Sequence, residues 1–193
     1  APQTPSAEEP EVPSVPAQEE PEPEAPPPAE PEPEPIAFAV SSSAFADGAR
    51  IPDEHCLASV SGGKNTSVPL EWSGAPEGTR SFAVAMVDRH PVANNWVHWL
   101  VVDIPPDTTG LAAGASGTSM PPGSREPDTT FGRPGYGGPA PPPGTGDHDY
   151  VITVYALDVA TLEIDTQPSA DEIEQAVADH VLDSAAITGV YSR

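Results

Sequence analysis

The sequence has few positive charges. Among its 193 residues, Lys and Arg number seven against 30 Asp plus Glu, which gives a formal net charge of −23 with histidine neutral. Nucleic-acid binding depends mainly on cationic side chains that neutralise phosphates, and adsorption to anionic membranes also depends on basic segments. We therefore expect neither nucleic acid nor an anionic membrane surface as a partner.

Cysteine and long apolar runs are also scarce. The single cysteine, Cys56, excludes an internal disulfide and a cysteine zinc cluster. As a lone thiol it is expected to be a small, half-buried apolar side chain. No run of about 18 apolar residues is present, so the sequence predicts no transmembrane segment.

Residues 1–35 differ in composition from the rest of the chain. They hold 13 of the 28 prolines, ten glutamates and no lysine or arginine. Because proline removes backbone donors, glutamates repel one another and large apolar side chains are almost absent, we expect a disordered, semi-rigid acidic spacer. It is either a tether that holds a domain away from a surface or a tail with no specific task.

Residues 36–193 have the size of one ordinary domain, and we expect one. The chain has no initiator Met and begins APQTPSAEEP, as a mature protein does after removal of a signal peptide or trimming of a lipid-carrying cysteine. We therefore expect an exported protein, secreted, periplasmic or lipid-anchored at the cell envelope. The alternative is a chain that was trimmed for expression.

Residues 36–193 are rich in segments typical of β-strands. The pattern predicts strands at residues 36–40, 55–60, 68–72, 80–88, 96–104 and 149–158, and an edge strand at 185–193. Residues 105–146 are rich in Gly, Pro, Ser and Thr without periodicity, and such long loops are more often functional than decorative.

One helix is predicted late in the chain, over residues 170–182. Ser169 would be the N-cap and Glu172 the third residue of a capping box. The predicted inner stripe contains Ile173, Ala176, Val177 and His180 or Val181. The order of elements is that of a mainly β domain with one helix.

Four polar side chains lie at or near the ends of predicted strands: Asp88, His98, His148 and Tyr150. Because side chains alternate along a strand, His148 and Tyr150 point to the same side. If the four converge beside the glycine-rich loop, imidazole, phenol and backbone N–H groups would suit an anion, and Asp88 would either orient a histidine or receive a ligand amine. For His98 the alternative is a histidine that is simply hydrogen-bonded in the core.

Metal and enzyme motifs are weak. Histidines with an aspartate can hold zinc, but no close-spaced pair such as HxxxH occurs, and we predict no metal and no cofactor. No GxSxG nucleophile elbow is present, and the GxGxxA match at Gly135 is followed by prolines that exclude the required helix. We therefore expect no enzymatic activity.

Four ordered blocks resemble the phosphatidylethanolamine-binding protein family, in its bacterial and archaeal Raf kinase inhibitor-like branch (the YbhB/YbcL type). The blocks are VPLEWSGAPEGTRSFAVAMVD, WVHWLVVDIP, FGRPGYGGPAPPPGTGDHDYVITVYALD and HVLDSAAITGVYSR. The resemblance implies a large antiparallel β-sheet packed on a smaller one, a C-terminal helix, and a small surface pocket for anionic head groups.

The resemblance also implies the residues of the pocket. At the family's DPDAP stretch this sequence has Asp88-Arg89-His90-Pro91 instead, so the pocket has one carboxylate fewer and one histidine more, which favours anions over zwitterionic amines. His90 and Pro91 are further candidates. The residues that match the family's pocket and its wall are Asp88, His98, His148, Tyr150, Gly135, Gly137, Gly138 and Pro139.

Three hypotheses for function follow. The first is an exported, non-enzymatic binding protein whose pocket takes a small anion or a phosphorylated head group. The second is an inhibitor of a protease or of another protein partner, such as a kinase, that acts through the pocket rim and the Gly/Pro loop. The third is a hydrolase or metal-dependent enzyme, because fold alone does not fix function.

Overall fold

The computed structural model describes residues 37–193, and the predicted spacer over residues 1–35 lies outside the described residues. The described part contains two antiparallel sheets and one α-helix. The small sheet has the order β1-β2-β5, with β1 at Ala39–Ser41, β2 at Leu70–Ser73 and β5 at Gly110–Leu111.

The large sheet has the order β4-β3-β6-β7. Its strands are β3 at Ser81–Asp88, β4 at Trp96–Ile104, β6 at His148–Leu157 and β7 at Val181–Tyr191. Helix α1, at Ala170–Ala178, lies between β6 and β7 in the chain. The predicted mainly β fold, with a large antiparallel sheet, a smaller sheet and one helix, is confirmed.

Both faces of the large sheet are covered, and this explains why every residue of β3 is buried. On one face, Phe82 belongs to the same apolar cluster as Trp72 of the small sheet. On the other, Ala85 clusters with Ile173 and Val177 of α1. A strand enclosed in this way is apolar between its ends, Ser81 and Asp88, since each buried aliphatic side chain contributes about 1.5–3 kcal/mol.

Most of the predicted strands are confirmed, with shifted ends. The segments at 68–72, 80–88, 96–104 and 149–158 correspond to β2, β3, β4 and β6, and the C-terminal segment forms the longer edge strand β7. Strand β1 begins at Ala39 rather than Ile36, which lies outside the described residues. The long loop holds one short strand, β5, that pairs with β2.

The strand predicted at residues 55–60 is wrong. Its backbone donors go to local turns and to the long loop: Cys56 N–H donates to Asp53 O, Val60 N–H to Leu57 O, and Leu57 N–H to Pro139 O. Cys56 is fully buried rather than half-buried. A short apolar run fits a packed loop as well as a strand, because periodicity cannot separate the two.

The helix begins as predicted and ends early. Ser169 and Glu172 form the predicted capping box, and Ile173 and Val177 are buried. The helix stops at Ala178 because the chain then pairs with β6, with Val181 opposite Leu157. The predicted end at Leu182 is therefore wrong, and Val181 belongs to β7.

Candidate functional site

The sheet order brings the four predicted polar residues to one end of the large sheet. β3 ends at Asp88 and lies between β4 and β6, both of which run antiparallel to it and therefore begin at this end. Asp88 is opposite Trp96 on one side and Tyr150 on the other. His98 lies two residues into β4, and His148 begins β6.

These four residues line one cavity of about 290 Å³. All four are buried, and we call Asp88, His98, His148 and Tyr150 the polar floor. The remaining lining residues are apolar, and we call them the apolar rim: Leu57, Val92, Ala93, Trp96, Phe131, Ala140, Pro141 and Pro142. Sequence reasoning named none of the rim residues as site candidates, because most of them come from separate loops.

A larger depression, of about 730 Å³, lies on the small sheet. Its polar side chains, such as Ser41, Glu71 and Thr109, are all exposed. Exposed polar groups are satisfied by water, whereas buried polar groups require partners. The cavity with the polar floor is therefore the better candidate site.

Both carboxylate oxygens of Asp88 already accept hydrogen bonds. His148 Nδ1 lies 2.7 Å from Oδ2, and the backbone N–H of His90 donates to Oδ1 at 2.9 Å. Asp88 thus orients a histidine, in one of the two roles that the sequence predicts. Each of its two oxygens has one hydrogen-bond partner within the protein, and a carboxylate oxygen can accept a second.

The second ring nitrogen of His148 is also engaged. Its Nε2 lies 2.8 Å from Thr145 Oγ1, and the Thr145 hydroxyl also donates to Pro142 O at 2.8 Å. The ring of His90 stacks on that of His148, with centroids 3.9 Å apart. Sequence reasoning missed Thr145, which is three residues before His148 in a proline-rich turn.

His98 presents one ring nitrogen to the protein and one to the cavity. Nδ1 lies 2.6 Å from Gly137 O, and because a carbonyl can only accept, Nδ1 carries the proton. Nε2 has no partner among residues 37–193. Burial lowers the pKa of His98 to about 4, although the Gly137 carbonyl opposes this effect. At neutral pH, Nε2 is therefore an acceptor.

Tyr150 carries the unsatisfied group of the site. The side chain is 0% exposed, and within the described part of the chain its hydroxyl has no hydrogen-bond partner. Burial, together with the nearby charge of Asp88, raises the pKa of Tyr150, so the group remains an O–H. Leaving a buried hydroxyl unpaired costs about 1–3 kcal/mol, so the group calls for a partner that residues 37–193 do not supply.

The glycine loop, residues 135–139, does not line the cavity. The N–H of Gly137 donates to His98 O at 2.8 Å, and that of Gly138 to Asn65 Oδ1 at 2.8 Å. The expectation that these amides face a ligand is therefore wrong. The other two predicted wall residues, Gly135 and Pro139, do not line the cavity either. The neighbouring residues 140–142 form that side of the cavity instead.

Gly138 is glycine because of close packing. A Cβ at this position would lie 2.0 Å from His55 O and 2.7 Å from the Cys56 carbonyl carbon. Asn65 holds the same loop from the other side, since its Nδ2 donates to Tyr136 O at 3.0 Å. Sequence reasoning assigned Asn65 no structural role, because its partners are about 70 residues away in the chain.

The two further candidates, His90 and Pro91, do not line the cavity. Both belong to the turn after β3, where Pro91–Ala93 form a short 3-10 helix with His90 as its N-cap.

Among residues 37–193, no group of three or more His, Cys, Asp or Glu side chains is arranged to hold a metal ion. In the same residues, no helix has the length and apolar character needed to cross a membrane.

The fold agrees with the comparisons with known proteins. The family model for phosphatidylethanolamine-binding proteins matches residues 41–192, which is most of the chain. The chain therefore belongs to the phosphatidylethanolamine-binding protein family.

Individual relatives place it in the UPF0098 type within that family. The chain is 39% identical to the UPF0098 protein YbhB of Escherichia coli, over 78% of this chain and 98% of YbhB. It is 35% identical to a UPF0098 protein of Methanothermobacter thermautotrophicus, over 80% and 98% of the two chains. The crystal structure of E. coli YbcL, a member of the PEBP family, superposes with a TM-score of 0.75 at 35% identity, covering 81% of this chain and 98% of YbcL.

Proposed function

We propose that this chain is a non-enzymatic binding protein whose cavity takes a small anion or a phosphorylated head group. The observation that carries the proposal is the Tyr150 hydroxyl, a buried donor with no partner among the described residues. A ligand oxygen at this position would remove the cost of the unpaired group. A cavity of about 290 Å³ is at the lower end of the usual range for small-molecule sites, which favours a head group over a long chain.

The hydrogen bonds around His148 support binding rather than catalysis. Thr145, His148 and Asp88 follow the order of a hydroxyl, imidazole and carboxylate triad. The Thr145 hydroxyl, however, donates its one proton to Pro142 O, and Thr145 does not line the cavity. An activated nucleophile needs a hydroxyl that the substrate can reach. Covalent labelling of Thr145 by a fluorophosphonate would contradict this part of the proposal.

The test of the anion pocket is an NMR titration of the full chain with inorganic phosphate, acetate and phosphoethanolamine. The ring signals of His98 and His148 report on the floor. We expect saturable shifts, and binding about tenfold weaker in Tyr150→Phe, since one lost hydrogen bond of about 1.4 kcal/mol has this effect. Tighter binding of phosphoethanolamine than of phosphate would show that the Asp88 carboxylate also accepts from the ligand amine.

The control variant is Tyr136→Phe. Tyr136 is also buried, but its hydroxyl donates to His55 O at 2.9 Å and it does not line the cavity. Anion binding should be unchanged in this variant. A wild-type protein that shows no saturable shift with any of the three anions would disprove the pocket proposal.

A second candidate function is inhibition of a protease or another protein partner. Val92 and Trp96 of the apolar rim are 59% and 37% exposed, and neighbouring exposed apolar side chains favour protein contacts. Under this alternative, Trp96→Ala would abolish binding to the partner while Tyr150→Phe would retain it. Under the anion proposal, Tyr150→Phe has the larger effect.

We also propose that the protein is exported and that residues 1–35 act as an acidic tether. The composition of that segment, with 13 prolines and ten glutamates, supports an extended spacer. Fractionation of the source cells with an antibody against the folded part tests the location. Recovery of the protein in the cytosol alone would contradict export.

A further inference from the structure

The direction of the His98 side chain comes from an irregularity of strand β4. Val87 of β3 is opposite Val97, and Met86 is opposite Trp99, so His98 is an extra residue without a partner on β3. A bulge of this kind re-aims a side chain out of the regular alternation and is common next to functional sites. The imidazole of His98 is one of the groups that line the cavity.

Two aromatic rings flank this imidazole at nearly right angles. The ring of Tyr150 has its centroid 5.1 Å from that of His98, and Tyr150 is fully buried. The ring of Phe131 has its centroid 5.3 Å from that of His98, and Phe131 is only half-buried. Of the two rings, Phe131 is therefore the one on the solvent side of His98.

The backbone beside Phe131 is fixed to strand β4. Val97, the residue before His98, donates its N–H to Thr130 Oγ1 at 3.0 Å. Its carbonyl accepts from the Thr130 N–H at 3.3 Å. Because Phe131 follows Thr130 in the chain, the position of its ring is tied to the strand that carries His98.

The side chains around Phe131 also fix its ring. A Cβ added at Gly137 would lie 2.6 Å from Phe131 Cδ2 and 2.9 Å from Cζ, so the absence of a side chain at Gly137 leaves room for the ring. Trp96 packs edge-on against the same ring, with centroids 5.4 Å apart. The Arg133 guanidinium lies 5.6 Å from the ring centroid, within range of a cation–π contact.

We propose that Phe131 determines specificity in this cavity: its ring keeps water from His98 and limits the size of the group that can lie beside that histidine. Phe131 lines the cavity, and a ring of a ligand could take its place only if the Phe131 ring were absent. The limit on size rests on the proposed binding function. The shielding of His98 is a property of the free protein and can be tested without a ligand.

The first test is an NMR measurement of the pKa of His98 in the full chain. Burial lowers this pKa to about 4, against an ordinary value of 6.5. In Phe131→Ala, water reaches the imidazole, so the pKa should rise toward its ordinary value, with a proton affinity at least about tenfold higher. In Phe131→Tyr, which keeps the ring, the pKa of His98 should stay at the wild-type value.

The other titratable and charged groups near His98 are the same in these variants. They are Asp88 of β3, His148 and Tyr150 of β6, and Arg133 beside the substituted position. If the Arg133 guanidinium moved into the vacated space, its charge would lower the pKa of His98. A rise in that pKa would therefore report the entry of water.

A second variant tests the same contact from the glycine loop. In Gly137→Ala, the added methyl group displaces the Phe131 ring without removing it, so the pKa of His98 should rise here as well. This variant keeps the inference testable if Phe131→Ala does not fold.

The control is Val92→Ala, which truncates an apolar rim residue on a different turn. The pKa of His98 should be unchanged in this variant. An unchanged pKa in Phe131→Ala, or a rise of equal size in Val92→Ala, would overturn the shielding role of Phe131.

The limit on ligand size is tested with methyl phosphate and phenyl phosphate as probes. Above their second pKa values these monoesters carry the same charge and differ mainly in the size of the ester group. In Phe131→Ala, the phenyl group can occupy the space that the Phe131 ring has left, as apolar cavities take up aromatic rings. We expect the ratio of phenyl to methyl phosphate affinity to exceed the wild-type ratio by about tenfold, which corresponds to about 1.4 kcal/mol.

The outcomes separate this inference from the proposed function. A raised pKa of His98 together with a raised affinity ratio would support the inference in full. A raised pKa with an unchanged ratio would overturn the limit on size and support the shielding role. Absence of binding of either monoester to any variant would overturn the proposed anion pocket and the limit on size, and the pKa of His98 would then decide the shielding role alone.

Discussion

The glycine loop and the polar floor differ in one buried tyrosine each. At the loop, the Tyr136 hydroxyl donates to His55 O, and both amide atoms of Asn65, which packs against the loop, are bonded to it. In the floor, the equally buried Tyr150 hydroxyl has no partner in the described part of the chain. Tyr136 and Tyr150 belong to one core, but only the Tyr136 hydroxyl has a hydrogen-bond partner among residues 37–193.

The difference separates groups that hold the fold from groups that are left for a ligand. A satisfied buried network stabilises one conformation, whereas a buried group without a partner destabilises it. His98 belongs to both sets, because Nδ1 bonds to the glycine loop and Nε2 is left to the cavity. Each prediction below changes one side of this comparison.

The largest effect is expected for Gly138→Ala. Its Cβ would lie 2.0 Å from His55 O, and a backbone atom cannot move aside as a flexible side chain can. We expect the free energy of unfolding to fall by about 3 kcal/mol or more, because overpacking of this severity displaces the loop. Urea denaturation measures the change.

The matched control is Gly144→Ala. Gly144 has φ of +82° and nothing within 4 Å of its added Cβ, so only the left-handed backbone is strained, at about 1–2 kcal/mol. An equal loss in both variants would show that the close approach of Gly138 to His55 has no energetic consequence. The fixed position of the glycine loop would then need another cause.

A smaller effect is expected from the pH dependence of His98. Its pKa is about 4 in the folded protein against an ordinary value of 6.5, so the unfolded chain binds a proton that the folded protein excludes. The contribution of His98 is fully present above about pH 6.5 and is lost as the pH falls toward 4. Between pH 7 and pH 5 we expect this ring to account for about 2 kcal/mol of lost stability.

His98→Asn removes this titration. Urea denaturation at the two pH values should give a smaller loss in the variant than in the wild-type protein. A loss of the same size in the variant would show that His98 does not titrate at a lowered pKa. The assignment of His98 Nε2 as an unprotonated acceptor at neutral pH would then be less well supported.

The smallest effect compares the two tyrosines. Tyr136→Phe should lower the free energy of unfolding by about 1–2 kcal/mol, because His55 O loses its donor. Tyr150→Phe should leave the free protein unchanged or stabilise it by up to about 1 kcal/mol, since it removes an unpaired hydroxyl. A loss of stability in Tyr150→Phe as large as that in Tyr136→Phe would mean that the Tyr150 hydroxyl has a partner in the free protein.

Strand periodicity was enough to predict most of the large sheet and the shared direction of His148 and Tyr150. The apolar run of β3 and the Trp- and Val-rich β4 are unambiguous because a strand buried on both faces tolerates few polar residues. The segment at 55–60 failed because its burial comes from the glycine loop, which contacts it across about 80 residues of sequence. Single-sequence patterns contain no information on such contacts.

The floor was predicted better than its surroundings for a related reason. Asp88, His98, His148 and Tyr150 lie on regular strands whose ends meet once the strands pair. Thr145 and Asn65 lie in loops, and their roles depend on backbone paths without a period. Glycine spacing suggested a ligand-facing loop. In the structure, however, the N–H of Gly137 donates to His98 O and that of Gly138 donates to Asn65 Oδ1.

The buried thiol of Cys56 offers a way to measure how often the core around it opens to solvent. Burial raises the pKa of this thiol to about 11, so at neutral pH the reactive thiolate is scarce and reagent cannot reach it without an opening. The Cys56 backbone lies directly against Gly138, and the chain has no second cysteine. The rate of thiol labelling therefore reports how often the core around Cys56 opens to solvent, and slower labelling in the presence of phosphate would show that cavity occupancy suppresses this opening.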